Sequence, residues 1–221
     1  MESPGITIFS KQGNYEKFIF INQNLYLVHH LLIIPRKKGL MTEENMVKQL
    51  ERIRKAYNLT VEQYNKGFDS FTNVPKNFKN TPDFKAFLEG TGPLLTGTGV
   101  PEYKKYLAPK SGMRFLDAGC CANLANYRLD KWGSTYYGVD IAPALINAMT
   151  GFVTNNQISI GCLYVAEITR LPFDDCFFAI AAVIGVLEYC SFGYPTAALS
   201  ELNPVLKIQS KLLLDIPNVE H

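Results

Sequence analysis

Two acids on either side of a glycine turn are the first residues of this chain whose type and spacing indicate chemistry. Asp117 ends a short apolar run and is followed by Ala118 and Gly119. A second acid, Asp140, ends another apolar run roughly twenty residues further on. In open α/β sheets, ligands bind beyond the carboxyl ends of the strands, where a small residue lets backbone N–H groups approach. Asp140 lies where a ribose diol needs a charged acceptor, so the stretch predicts a nucleoside-type site.

The glycines of this turn bear on which nucleoside is bound. The nicotinamide fingerprint, G-x-G-x-x-G, needs glycines that admit a pyrophosphate to the backbone, and only Gly119 stands in place. Asp117, which opens the turn, is poorly placed beside a pyrophosphate because like charges repel. A dinucleotide site is therefore the less favoured alternative, although it stays open.

Alternating strands and helices must hold the two acids in place. Residues 113–116 and 136–139 are apolar runs that predict strands, and residues 122–131 predict a helix between them. Further helices are predicted over 143–152 and 197–207, and further strands over 162–166, 177–184 and 211–216. The last-but-one strand is apolar throughout, as in a central parallel strand buried on both faces. The fold class is therefore α/β, with a doubly wound, mostly parallel sheet.

The part of the chain before this unit has two patterns. Residues 6–9 and 18–21 are β-rich runs around a polar turn, which predicts a hairpin, and residues 25–34 fit either a strand or a short buried helix. From residue 42 onward, apolar residues recur at helical spacing. A first helix is predicted over 42–58, and a second begins at the capping box of Thr60 and Gln63 and ends near Gly67. Two shorter helices are predicted over 83–88 and 102–107, with a flexible connection at 90–99.

Composition limits the class of protein. The net charge is +2 and no sustained Lys/Arg tract occurs, so a nucleic-acid partner is not expected. The five cysteines form no C-x-x-C pair and there are three histidines, so no metal site is expected. We expect the cysteines to be reduced thiols. The N-terminus lacks a signal-peptide pattern, and the apolar run 25–35 is about half the length of a membrane span. We expect a cytoplasmic protein without a membrane partner.

Four segments, in order, resemble the motifs of class I S-adenosylmethionine-dependent methyltransferases. They are Asp-Ala-Gly at 117–119, Leu-Pro-Phe-Asp-Asp at 171–175, Val-Leu-Glu-Tyr at 186–189 and the segment 201–207 before the last strand. The resemblance covers about residues 111–217. The first motif of the family has the form h-h-D-x-G-x-G-x-G, and this chain has Cys121 and Asn123 at its second and third glycines. A cysteine Cβ narrows the space for backbone approach, whereas asparagine tolerates left-handed geometry.

The resemblance implies a Rossmann-like fold and S-adenosyl-L-methionine as cofactor. It implies that Asp117 faces the cationic methionine end and that Glu167 meets the adenine amino group. The cofactor contacts that it implies are Asp117, Ala118, Gly119, Cys121, Asp140, Ile141, Glu167 and Ile168. Glu188 and Tyr189, at the tip of the fourth strand of the unit, are the candidates for catalytic contact with the substrate. Tyr57, Tyr64 and Phe68 resemble a cap over the cofactor, but packing between helices is the favoured interpretation.

The sequence patterns and the resemblance together divide the chain into a β-rich extension at 1–40, a helical cap and linker at 41–110, and the cofactor-binding domain at 111–221. The family sheet normally ends with two further strands, one antiparallel, and none is predicted after 211–216. The sequence is then a fragment, or the N-terminal hairpin or another subunit covers that edge. We expect the hairpin, or the run 25–34, to lie beside 212–216 within the subunit or across a homodimer.

The favoured function is in-line methyl transfer to a small-molecule acceptor. The fourth strand of the unit does not end in the Asn/Asp-Pro-Pro-aromatic sequence of amino-methylating DNA enzymes, which favours a small molecule over nucleic acid. The altered glycines leave a second hypothesis open, a methyltransferase-like protein that binds without catalysis. A NAD-dependent oxidoreductase is the third.

Overall fold

One mixed sheet lies at the centre of the structure, a computed structural model that describes residues 6–10, 16–22, 43–65, 100–187 and 193–217. Seven strands occur in these residues: β1 (Ile6–Ser10), β2 (Glu16–Asn22), β3 (Arg114–Ala118), β4 (Thr135–Asp140), β5 (Cys162–Val165), β6 (Phe178–Val183) and β7 (Leu206–Pro217). Their spatial order is β1-β2-β7-β6-β3-β4-β5. The five strands β3 to β7 pair in parallel. The order reverses between β3 and β6, which is where open α/β sheets bind ligands.

Helices connect or flank these strands. Those in the described residues are α1 (Glu43–Asn65), α2 (Val100–Leu107), α3 (Asn123–Tyr127), α4 (Pro143–Asn155) and α5 (Gly193–Val205), with a 3-10 turn at Leu129–Trp132. Both faces of the parallel strands are buried: Leu116 and Ala181 belong to one apolar cluster, Phe115 and Ile180 to the other. This is why these strands are continuous apolar runs in the sequence. The α/β, Rossmann-like fold class is thus confirmed. None of the helices in the described ranges is both long and apolar enough to cross a bilayer.

Helix α1 corrects the prediction of two separate helices around Thr60. It is one helix, and the capping-box pair at Thr60 and Gln63 lies inside it. Leu50 and Val61 are buried and Tyr57 packs beside Val61, so one apolar stripe continues across the predicted boundary. No glycine or proline occurs between residues 43 and 65. Burial of this stripe therefore outweighs the local capping signal.

The helix predicted over 122–131 is shorter in the structure. It ends at Tyr127 because Arg128 has a left-handed backbone, with φ of 47°. The Arg128 guanidinium pairs with Asp130 at 2.6 Å, and Trp132 then packs into the core. The other elements of the domain agree with their predicted positions to within a few residues. The exceptions are α5, which begins four residues early, and β7, which begins five residues early.

The N-terminal hairpin forms the edge of the sheet beyond β7. β1 pairs with β2, and β2 pairs antiparallel with β7 in a register that joins Lys17 to Ile216 and Ile21 to Leu212. This confirms the prediction that the hairpin covers the edge beside 212–216. The predicted elements at 25–34, 83–88 and 90–99 lie outside the described residues.

Candidate functional site

A cavity of about 410 Å³ opens beyond the carboxyl ends of the parallel strands. Its wall comes from the turn after β3, the tip of β4, the segments after β5 and β6, and helices α1, α3 and α5. The volume lies within the range of small-molecule sites. The cavity is therefore at the place that the two acids and the strand order predict.

Asp140 is the acid of the cavity wall, at the tip of β4. Its Oδ2 accepts a hydrogen bond from the Cys121 backbone N–H at 2.9 Å, and its Oδ1 accepts one from Ala142 at the same distance. Burial raises the pKa of Asp140, while the backbone N–H groups of Ala142 and Cys121 oppose the rise. Each carboxylate oxygen has a second lone pair, so the group can still accept from ligand hydroxyls.

The turn after β3 has a left-handed backbone at two positions. Gly119 has φ of 79° and Cys121 has φ of 42°. A Cβ at Gly119 would lie 2.1 Å from Val186 Cγ2, so the missing side chain makes room for Val186 rather than directly for a ligand. Burial raises the pKa of the Cys121 thiol to about 12, which leaves it protonated at neutral pH. Glycine adopts a left-handed backbone more readily than cysteine does, so the glycine of the family motif would suit the backbone at Cys121.

Asp117 is buried behind the cavity wall. Its side chain is 2% exposed, accepts a hydrogen bond from the Tyr136 hydroxyl at 2.8 Å and accepts another from the Asn123 amide at 3.3 Å. Burial raises the pKa of Asp117 to about 7, although the hydrogen bonds from Tyr136 and Asn123 lower it. Asn123 lines the cavity whereas Asp117 does not. The side chain at the third glycine position thus lies between the acid and the cavity.

The remaining residues implied by the resemblance fall into three groups. Ile141 and Ile168 line the cavity together with Gly119, Cys121 and Asp140. Ala118 is buried, and Glu167, whose Oε1 accepts a hydrogen bond from the Thr169 hydroxyl at 2.7 Å, is not part of the wall. Glu188 and Tyr189 lie outside the described residues. Contact of these residues with a ligand stays a prediction.

Helix α1 contributes wall residues that the sequence did not single out. Leu50 and Ile53 line the cavity beside Tyr57, the one of the three predicted cap aromatics whose side chain the structure describes. Two polar contacts hold α1 against the loop after Asp140 and the first turn of α4. Arg54 Nε donates to the Ile141 carbonyl at 3.2 Å, and the Ala144 N–H donates to Asn58 Oδ1 at 3.2 Å.

Tyr127 and Tyr194 also line the cavity and were missed. Tyr127 ends α3 and Tyr194 lies in the first turn of α5, so neither belongs to a motif. The helical periodicity of α1 could have placed Leu50 and Ile53 on a buried face, but no local pattern shows which partner that face meets.

The charge of the wall is one-sided. Among the described residues that line the cavity, Asp140 is the charged one, and none is lysine, arginine or histidine. A pyrophosphate in this place would meet a carboxylate with no compensating cation, which is unfavourable at low dielectric. A neutral or cationic ligand is compatible with the wall.

Comparison with known proteins agrees with this geometry. The family model described as a methyltransferase domain matches residues 116–214. The crystal structure of the PH0226 protein from Pyrococcus horikoshii OT3 is similar over 69% of this chain and 64% of that one, with 20% sequence identity and a TM-score of 0.51. This chain therefore spans less than two thirds of that protein, and the likeness shows the fold alone.

Two further structures are similar at lower TM-scores. A SAM-dependent methyltransferase from Aquifex aeolicus matches 57% of this chain and 63% of its own, with 19% identity and a TM-score of 0.43. Magnesium protoporphyrin IX methyltransferase from Synechocystis PCC 6803, with bound SAM, matches 75% of this chain and 73% of its own, with 16% identity and a TM-score of 0.49. No curated protein matches the chain. Residues 116–214, which are less than half of this chain, match the family model described as a methyltransferase domain, and the chain shares its Rossmann-like α/β fold with the PH0226 protein.

Proposed function

We propose that the protein is a methyltransferase that uses S-adenosyl-L-methionine and acts on a small-molecule acceptor. The observation that carries the proposal is the wall of the cavity, in which Asp140 stands at the tip of β4 and no described residue is a cation. A carboxylate at this point suits a ribose diol. The absence of positive charge from the described wall suits a sulfonium better than a pyrophosphate.

The residues present fit such a cofactor. Asp140 would hold the ribose hydroxyls through its remaining lone pairs. Ala166 and Ile168, which follow β5 on one side of Asp140, offer an apolar surface for the base. When bound, the cofactor supplies a methyl group on a sulfonium, which is an activated leaving group.

The chain itself would bind, orient and exclude water. In-line displacement from an activated donor depends largely on holding donor and nucleophile in line, so positioning can account for much of the rate. Leu50 and Ile53 of α1 cover the cavity with apolar surface, and Tyr57 adds a phenol at the same wall. Glu188 and Tyr189 stay the proposed contacts to the acceptor, with Glu188 able to remove a proton where the acceptor is a hydroxyl or a carbon acid.

A small molecule is the proposed acceptor because most side chains of the described wall are aliphatic or phenolic and the sequence has no sustained basic tract. A nucleic-acid acceptor would need positive charge near the mouth for phosphate contacts. A cytoplasmic location and a homodimer belong to the same proposal.

One observation favours a second candidate, a protein that binds the cofactor or a related nucleoside without catalysis. Cys121 and Asn123 put side chains where the family has glycines, which reduces the space along the turn. Such a protein would bind the cofactor and its demethylated product and leave the methyl group in place.

Isothermal titration calorimetry tests the proposal on the full chain. We expect saturable heat with S-adenosylmethionine and with S-adenosylhomocysteine, and none with NAD or NADP. Saturable binding of NAD alone would support the oxidoreductase, and no binding of any of the four by folded protein would overturn the proposal. Transfer of a labelled methyl group to small molecules of a cell extract separates the enzyme from the binding protein.

A further inference from the structure

Asn123 is the polar residue of the cavity wall that no motif explains. It occupies the third glycine position of the turn and is half-buried, and its side chain belongs to the wall. A glycine there would leave Asp117 and the cavity separated by backbone alone. The asparagine instead puts an amide between them.

The hydrogen bonds orient this amide. Its Nδ2 donates to Asp117 Oδ1 at 3.3 Å, which directs the NH₂ group toward the buried acid. In the described residues Asn123 Oδ1 accepts no hydrogen bond, and the one fully buried side-chain oxygen or nitrogen without a partner in these residues is Ser134 Oγ. Asn123 Oδ1 is therefore not sealed in the interior. Because the side chain lines the cavity, this carbonyl is an acceptor that a ligand can reach.

The surrounding charge determines which ligand group the carbonyl suits. Donation to a carboxyl oxygen polarises an amide and makes its carbonyl oxygen a stronger acceptor. Asp117 lies behind the amide and Asp140 in the same wall, while the described wall residues include no cation. An ammonium group, with a positive charge and several N–H donors, matches this place.

The strand order indicates which end of the cofactor reaches Asn123. The last four strands in the order of the sheet are β6-β3-β4-β5, so the turn after β3 and the segment after β5 lie on opposite sides of Asp140. With the ribose at Asp140 and the base against Ala166 and Ile168, the other end of the cofactor extends toward the turn that holds Asn123.

We propose that Asn123 is a cofactor-binding residue whose side-chain carbonyl accepts a hydrogen bond from the ammonium group at the amino-acid end of the cofactor. This inference rests on the proposed function. Asn123 takes the contact that an acid facing the cavity would otherwise make, and Asp117 acts behind it as a positioning residue.

Calorimetry with two ligands tests the contact. S-adenosylhomocysteine carries the amino-acid end, whereas 5′-methylthioadenosine has the same nucleoside and a thioether but no ammonium group. We expect Asn123→Ala to weaken binding of the first by about tenfold and to leave binding of the second within about twofold. Asn123→Leu, which keeps a side chain of similar volume in front of Asp117 and removes the acceptor, is a second variant with the same expected result.

Cys121→Ala is the matched control, because it changes another wall residue of the same turn and removes no side-chain acceptor. It is expected to shift both ligands by the same factor. Equal losses for both ligands in the Asn123 variants, or no loss for S-adenosylhomocysteine, would overturn the inference. Failure of the unaltered protein to bind either ligand would instead overturn the proposed function and this inference with it.

Discussion

Replacement of the buried acid Asp117 by asparagine is predicted to stabilise the protein above neutral pH. The acid is 2% exposed, and burial raises its pKa from 3.8 to about 7. The folded protein therefore holds a proton on Asp117 between about pH 4 and pH 7, which the unfolded chain releases. The stability contributed by this proton is fully present below pH 4 and is lost as the pH rises through 7.

The size of the effect follows from the two pKa values. At 1.36 kcal/mol per unit, the rise from 3.8 to about 7 corresponds to roughly 4 kcal/mol of unfolding free energy lost above pH 7. Asparagine has nearly the same shape and does not titrate. Its amide can accept from Asn123 and donate to the Tyr136 oxygen, so both hydrogen bonds of the acid can be kept.

Urea unfolding of both proteins at pH 5 and pH 8 measures this difference. We expect the stability of Asp117→Asn, relative to the unaltered protein, to rise by about 3 kcal/mol between the two pH values. Glu44→Gln, on an exposed pair with Lys48, is the control and should show little pH-dependent difference. A constant loss in Asp117→Asn at both pH values would refute the reasoning, because it would mean that the carboxylate is ionised in the fold and is stabilised by its donors.

Three further predictions concern the site and the sheet edge. Asp140→Ala leaves the N–H groups of Cys121 and Ala142 without their acceptor, so the free energy of unfolding should fall by about 2 kcal/mol or more. The affinity for S-adenosylhomocysteine, measured by calorimetry, should fall by at least about tenfold. Unchanged affinity in a folded variant would contradict the ribose contact. Cys121→Gly relieves a left-handed backbone and should keep or improve that affinity, whereas a loss of more than about tenfold would mean that the thiol packs usefully. Deletion of residues 1–24 uncovers the edge of β7, so size-exclusion chromatography should detect aggregation or a new oligomeric state. A soluble, equally stable product would mean that the hairpin is dispensable.

The sequence predicted the parallel half of the sheet because its signals are local. Apolar runs such as 177–184 are required by burial on both faces. Asp140 ends β4 as predicted, whereas Asp117 lies one residue before the end of β3. The hairpin could be placed because β7 was left with an open edge and the runs at 6–21 had no other partner. The division at residues 40 and 110 stays a prediction.

Where the prediction failed, burial of a helix face or a nearby ion pair outweighed the helix signal in the sequence. Thr60 has the residues of a helix start, yet the stripe of Leu50 and Val61 keeps α1 continuous. Arg128 is an ordinary helix former, but its ion pair with Asp130 accompanies the left-handed turn that ends α3. A different limit applies to the site, because the contact of Arg54 with the Ile141 carbonyl joins residues far apart in sequence.

In the structure Asp117 does not line the cavity, although the resemblance implies that it faces the cofactor. A motif acid faces the ligand when the residues around it are glycines, which have no side chain to intervene. Asn123 replaces one of these glycines, donates to Asp117 and lines the cavity in its place. The acid is then buried without direct access to the ligand, and its ionisation becomes a cost to stability near neutral pH. On the proposal made above, the substitution at Asn123 moves the ligand contact from Asp117 to Asn123.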